Sequence, residues 1–258
     1  MATDPRPALD PARMIAEARR AFFVMFAFLA LIWLLQLANW ADDNQLARDY
    51  AIVPRETDRL PDIFTAQFLH LNWQHIEANS GPLFVFGFLA AYRGVKKFLG
   101  LTVLIVLTGG AMIWFFERDH VYTVGASGLV YGYFGYVVLR GVFDRNLIDS
   151  LIGLVMGASF AYLLLNAVPG TPGVSWLGHL GGLLGGLAGA WIFRDRERDR
   201  GRRAAAAPPA SQAAPTATAT ATATATGTTT PATRADAPAQ GAPSPRAALL
   251  KELDDLGL

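Results

Sequence analysis

A serine and a histidine stand in two glycine-lined apolar segments far apart in the chain, Gly125-Ala126-Ser127-Gly128 and Gly178-His179-Leu180-Gly181-Gly182. A hydroxyl is a poor nucleophile until a base within hydrogen-bond reach takes its proton. Histidine is the side chain whose pKa suits that task near neutrality. Ser127 and His179 are therefore read as a nucleophile and its general base. A third apolar segment carries His75 and Asn79, four residues apart and so on one face of a helix. Ser127 and Tyr131 share a face by the same spacing. The chain has no cysteine, so there is no thiolate nucleophile, no thiolate metal site and no disulfide, and serine must be the nucleophile.

The elements that hold these residues are membrane helices. Hydrophobic residues make up 52% of the 258 and charged residues only 17%. The apolar residues gather in long blocks separated by short charged or Pro/Gly-rich joints, the composition of an all-α polytopic membrane protein. At roughly 20 residues per crossing, six spans are predicted: 21–37, 71–92, 98–116, 126–139, 147–165 and 175–193. The fourth is short and glycine-rich. The first is followed by no small-residue cleavage site before Trp40-Ala41-Asp42-Asp43 and reads as a retained helix. Lys and Arg concentrate in the N-terminal stretch (Arg6, Arg13, Arg19, Arg20), in the second-to-third joint (Arg93, Lys96, Lys97), in the fourth-to-fifth (Arg140, Arg145), and just after the sixth span. The alternate joints are poorer in them, which makes both termini cytoplasmic.

With that orientation, spans two, four and six all run from outside to inside. His75 and Asn79, Ser127, and His179 then lie in or near the first turns of their helices, at one depth just under the outer surface. An ionisable residue inside a membrane marks a functional site by default, and three segments meeting at one depth predict a single site reached by water from outside. In the sixth span Gly178, Gly182 and Gly186 recur every fourth residue, as do Gly181, Gly185 and Gly189. Small residues at that interval let backbones approach closely, which would bring the sixth span onto the fourth with its Gly128, Gly132 and Gly135.

The domain organisation follows: a cytoplasmic segment 1–20, a six-helix membrane domain 21–195, an Ala/Pro/Thr-rich tail 196–243 expected to be disordered, and a short amphipathic segment 244–258. Leu249, Leu250, Leu253 and Leu256 share one face of that last segment, whose partner the sequence does not name. The net charge of +1 gives no sign of nucleic acid.

Taken together, these residues resemble the rhomboid intramembrane serine proteases. His70-Leu71-Asn72-Trp73-Gln74-His75-Ile76-Glu77-Ala78-Asn79 is similar to the family's second-helix pattern HxxxxHxxxN. Gly125-Ala126-Ser127-Gly128 with Tyr131 resembles its GxSG motif and following tyrosine, and Gly178-His179-Leu180-Gly181-Gly182-Leu183-Leu184-Gly185-Gly186 resembles its HxxGxxxG. The resemblance covers about residues 20 to 195 and implies a six-transmembrane-helix rhomboid-like bundle in a bacterial plasma (inner) membrane. It also implies an endopeptidase that cuts single-span transmembrane proteins near the outer face with a Ser127–His179 dyad and no cofactor. By the same similarity, the Ser127 N–H, the Asn79 amide and the His75 ring stabilise the oxyanion, and Tyr131 packs on the His179 imidazole to orient it.

The alternative in the same fold is a catalytically inactive binding or trafficking protein, which loss of the serine or histidine would mark; both are kept. A zinc site from His70, His75, Glu77 and His179 lacks the HExxH spacing of helical zinc sites, and His75 and Glu77 point to different helix faces. A transporter is disfavoured because no acidic relay runs through the spans. His70 reads as structural, His120 as a solvated loop residue, and Ser159 as a mid-span serine without a basic partner. Glu77 would oppose an oxyanion unless it faces outward. The stretch Arg59 to Thr65 lacks the Trp-Arg pair that many bacterial members carry in the first outer loop, which leaves open how this loop is anchored.

Overall fold

Helix α1 (Pro11–Ala41) begins where Asp10 accepts from the N–H groups of Ala12 and Arg13, with Pro11 in the first helical position. It therefore starts ten residues before the first predicted span, and its charged opening turns carry the Arg13–Glu17 pair at 2.9 Å. The computed structural model describes residues 10–170 and 173–195. The tail predicted over 196–243 and the amphipathic segment over 244–258 lie outside them. Within the described residues the fold is all-helical apart from one isolated antiparallel bridge, Ile52 to Thr123.

After α1 come two short helices, α2 (Gln45–Asp49) and α3 (Asp62–Thr65), then α4 (Trp73–Ala91), α5 (Val95–Phe116), α6 (Ser127–Phe143), α7 (Leu147–Ser159) and α8 (Trp176–Ile192). The six longer helices fall on the six predicted spans. By length and composition α1 and α5 can each cross a membrane. The fifth predicted span is not one straight helix. At Phe160 the backbone leaves the helical region (φ −116°, ψ 19°) as the ring packs edge-on against Phe86, centroids 4.9 Å apart. The chain continues as a 3₁₀ turn, Ala161–Ala167, bent 63° from α7. Helices α6 and α8, at 17 residues each, are about 25 Å long at 1.5 Å per residue, less than the roughly 30 Å of a hydrocarbon core. They are also the most buried: from Gly128 to Val137 every residue of α6 is buried.

Glycine sets the centre of the bundle. A Cβ on Gly182 or Gly186 would fall on the carbonyl oxygens of Gly128 and Gly132, so α8 lies directly on the backbone of α6. The other glycine row faces α5: a Cβ on Gly181 would sit 2.8 Å from the Thr108 carbonyl and 2.9 Å from the Gly109 Cα. Gly182 and Gly186 of one row thus serve α6, while Gly181, Gly185 and Gly189 of the other, with Gly178, serve α5. A buried bond between Thr102 and the Tyr133 hydroxyl, 2.7 Å, links α5 to α6.

At the end of the bundle away from the GxSG segment, charge does the joining. Buried Arg140 on α6 pairs with Asp149 at the start of α7 (2.9 Å) and lies 3.7 Å from Asp144, while Arg93 after α4 pairs with the same Asp149. The Asp195 N–H donates to Asp144 (2.7 Å), closing the cluster onto the chain after α8. Two of the arginines that the sequence offered as surface charge are therefore structural.

At the opposite end, side chains organise the loops. Buried Asn39 donates to the His70 carbonyl (3.0 Å) and accepts from the Ala47 N–H (2.9 Å). Arg59 pairs with Asp62 and donates to the carbonyls of Asp49 and Ala51. The loop between α1 and α4 is thus held from inside by an arginine and an asparagine.

Replacing Gly186 by Val should be among the most damaging single changes, because the clash is with backbone that has no rotamer to move into. We expect a loss of about 3 kcal/mol or more, beyond ordinary overpacking. Gly81→Ala, where nothing lies within 4 Å, should leave the midpoint unchanged or slightly raised. Thermal unfolding of the purified protein in detergent, followed by circular dichroism, compares the two.

Candidate active site

Three helices open onto one cavity of about 1090 Å³, lined among others by His75 and Asn79 of α4, Ser127 and Tyr131 of α6, and His179 of α8. All five residues singled out in the sequence thus face the same space. Its mouth is built from the loops after α1, after α5 and before α8, with Asn72, Glu117 and Asn166 among its polar groups.

Ser127 is the first residue of α6. The first α-helical bond there runs from the Val130 N–H to the Ala126 carbonyl (3.0 Å), so the Ser127 N–H precedes the helical ladder and is not consumed by it. The turn before it is pinned twice to the segment preceding α4. The Gly125 N–H donates to the Ala66 carbonyl (2.9 Å) and the Ala126 N–H to His70 Nε2 (3.3 Å). Gly125 is required on two counts: its φ is +132°, and a Cβ there would lie 2.6 Å from the His75 ring.

His70, read from sequence as structural, is fully buried and so supports the serine's loop. Burial, with the neighbouring His75 ring adding to it, pushes this imidazole down to about 3. It is therefore neutral and able to accept through Nε2. The two rings meet edge-on with centroids 5.0 Å apart.

His179 sits one turn into α8, whose start is capped by Ser175. The Ser175 hydroxyl accepts from the Gly178 N–H (3.2 Å) and donates to Glu117 (3.1 Å). The His179 ring lies parallel to that of Tyr131, centroids 4.1 Å apart and planes 9° from parallel. Its Nδ1 is 2.8 Å from the Asn166 carbonyl oxygen. A carbonyl only accepts, so Nδ1 carries the proton and Nε2 holds the lone pair. The Tyr131 hydroxyl is held in turn by the Leu163 carbonyl (2.6 Å). Among the described residues no hydrogen bond joins the Ser127 hydroxyl to His179. Such bonds are often long until substrate closes the site.

Asn79 lines the cavity at 9% exposure, and its side-chain nitrogen is buried with no hydrogen-bond partner. Glu77, the acid that threatened the site, is exposed and lines no part of it. His120 and Ser159 are both exposed and away from the cavity. Among the described residues no group of three His, Cys, Asp or Glu side chains is placed to hold a metal ion.

Two contributors escaped the sequence. The Asn166 carbonyl fixes the histidine tautomer, and a backbone atom carries no side-chain signal. Gln67 lines the cavity as a single amide within Ile63-Phe64-Thr65-Ala66-Gln67-Phe68-Leu69, and its isolation in an apolar run was a signal that was present but unused.

Residues 57–196 match the Rhomboid domain. An uncharacterized protein of Mycobacterium tuberculosis is 35% identical over 179 residues, covering 65% of this chain and 73% of its own. One from Mycobacterium leprae is 34% identical over the same length, 65% of this chain and 69% of its own. The rhomboid protease GlpG of Haemophilus influenzae is 25% identical over 194 residues, 70% of this chain and 93% of its own. With its apolar helices and this match over more than half its length, the chain is an integral membrane protein that belongs to the rhomboid family.

Proposed function

We propose that this protein is an intramembrane serine endopeptidase that cleaves single-span transmembrane proteins with a Ser127–His179 dyad. The observation that carries the reading is the state of His179. Its Nδ1 proton is committed to the Asn166 carbonyl and its ring is clamped on Tyr131, which leaves Nε2 basic in the cavity that Ser127 also lines.

The chemistry follows from the groups present. Ser127 Oγ attacks the scissile carbonyl carbon while His179 Nε2 takes its proton, forming a tetrahedral intermediate with a negative oxygen. The Ser127 N–H, the unpartnered Asn79 amide and the His75 ring are the donors for that oxygen. His179 then returns the proton to the leaving amine, and the acyl-serine is hydrolysed by water that the same histidine activates. Tyr131 keeps the imidazole plane fixed through both transfers, the orienting task that an acid performs in a triad. No metal or cofactor enters any step.

In this reading six helices cross a bacterial plasma membrane, with the domain spanning 21–195 and both termini in the cytoplasm. The cavity opens to the outer side, where the loops meet, so that hydrolytic water reaches Ser127 without passing through lipid. The tail from 196 onward lies in the cytoplasm and plays no part in the chemistry.

Purified protein in detergent should cleave a single-span substrate, and Ser127→Ala and His179→Ala should each abolish cleavage while folding is retained. An inert wild type against several substrates, or cleavage that survives Ser127→Ala, would instead favour an inactive binding or trafficking protein.

Asn79→Ala should lower kcat about a hundredfold or more with little change in KM, as expected for a donor that acts on the transition state. Tyr131→Phe keeps the ring stack and loses the hydroxyl's bond to the Leu163 carbonyl, about 1 kcal/mol, so it should retain most activity. Tyr131→Ala should lose most of it. Steady-state kinetics alongside thermal unfolding separates these cases.

A further inference from the structure

Gln67 sits where folding alone would favour an apolar residue. It is 4% exposed, and its side-chain oxygen is buried without a hydrogen-bond partner. Leaving a buried amide atom unpaired costs folding free energy that a leucine of similar size would avoid. Its neighbours Ile63, Phe64, Phe68 and Leu69 are all apolar.

Its position is fixed by backbone. The Ala66 carbonyl accepts from Gly125 and His70 Nε2 accepts from Ala126, so the segment from 66 to 70 is tied to the turn that presents the serine, with Gln67 between the ties. The amide oxygen lies 3.1 Å from the point a Cβ on Gly128 would occupy, and the residue lines the cavity shared by Ser127, His75 and Asn79. A substrate strand laid across Ser127 would therefore run past Gln67. A carboxamide offers one acceptor and two donors, the complement of a peptide unit with its C=O and N–H. The match holds whichever way the amide is turned.

We propose that Gln67 is a substrate-contacting residue whose carboxamide hydrogen-bonds to the main chain of the substrate beside the scissile bond, supplying the partner its oxygen lacks within the protein. Because it reads backbone, it adds affinity for an unwound, extended segment over a helical one, whose peptide groups are already paired. The inference rests on the proteolytic reading above.

The test uses the full chain in detergent with two probes: a single-span transmembrane substrate, and a small fluorophosphonate that labels an activated serine without occupying the substrate's main-chain positions. Gln67→Leu should reduce kcat/KM for the substrate about tenfold, the worth of one hydrogen bond. Fluorophosphonate labelling should stay within about twofold, with the unfolding midpoint unchanged or raised. Gln67→Met serves the same comparison if the leucine variant folds poorly. Substrates with single peptide bonds beside the cut replaced by esters should show one position at which the wild type loses about tenfold and Gln67→Leu loses almost nothing.

Undiminished cleavage by a folded Gln67→Leu would overturn the proposal. So would a parallel fall in cleavage and labelling, which would make Gln67 a support of the serine's loop. A wild type that neither cleaves nor labels at Ser127 would remove the proteolytic reading itself, and with it this inference.

Discussion

Everything at the cavity depends on how closely α8 lies on α6. Gly182 and Gly186 rest on the carbonyls of Gly128 and Gly132, a contact with no room for a side chain on α8. Only at that separation does a histidine one turn into α8 share a cavity with a serine at the start of α6 and lie flat on Tyr131 one turn further on. In a membrane the apolar faces of helices gain little by meeting each other instead of lipid, so close van der Waals packing has to supply the association. The other glycine row, against α5, seats the same helix from a second side. Helix α8 is thereby wedged between two partners, and the imidazole it carries has a fixed place.

The two ends of the bundle are joined by different sets of contacts. At one end buried Arg140 and Asp149, with half-buried Arg93 and Asp144, form a charge cluster that ties α4, α6 and α7 together. Removing one partner of such a cluster leaves an uncompensated charge and is strongly destabilising. At the other end the loops are joined by hydrogen bonds, from Asn39 to the His70 carbonyl, Ala126 to His70, Gly125 to Ala66 and Ser175 to Glu117, and by the ion pairs Arg55–Asp119 and Arg59–Asp62. The helix that carries α7 toward this end breaks at Phe160 and finishes as a 3₁₀ turn. That turn supplies the carbonyls of Leu163 and Asn166, which hold Tyr131 and His179.

Spare polar groups at the cavity form a pattern of their own. Asn79 and Gln67 each present an amide atom that is buried and unpaired, and both line the cavity with Ser127. A protein interior leaves few such atoms, and each one needs a reason. In the proteolytic reading proposed above the reason is an incoming peptide and its developing oxyanion, for which the Asn79 nitrogen is a donor already in place and the Gln67 oxygen an acceptor.

Much of this was legible in the residue order. Apolar block length marked the helices, the spacing of His75 and Asn79 put them on one face, and the glycine rows of the last helix announced close packing. These features are local or periodic, and periodicity survives in sequence. The order of residues did not reveal that Gly182 and Gly186 seat on α6 while Gly181, Gly185 and Gly189 seat on α5, that α8 is shorter than a bilayer core, or that α7 breaks at Phe160. Nor did it reveal that Glu77 turns outward, that His70 is a neutral acceptor for the serine's loop, or that a backbone carbonyl at Asn166 sets the histidine tautomer. By itself, then, the sequence determined which side-chain types stand in the first turns of the helices and which of them share a face, because residue type and helical spacing are one-dimensional. Which nitrogen is basic, which amide is unpaired and which acid is harmless were decided only by the tertiary structure, because each depends on atoms that segments distant in the chain bring within about 3 Å, the reach of a hydrogen bond.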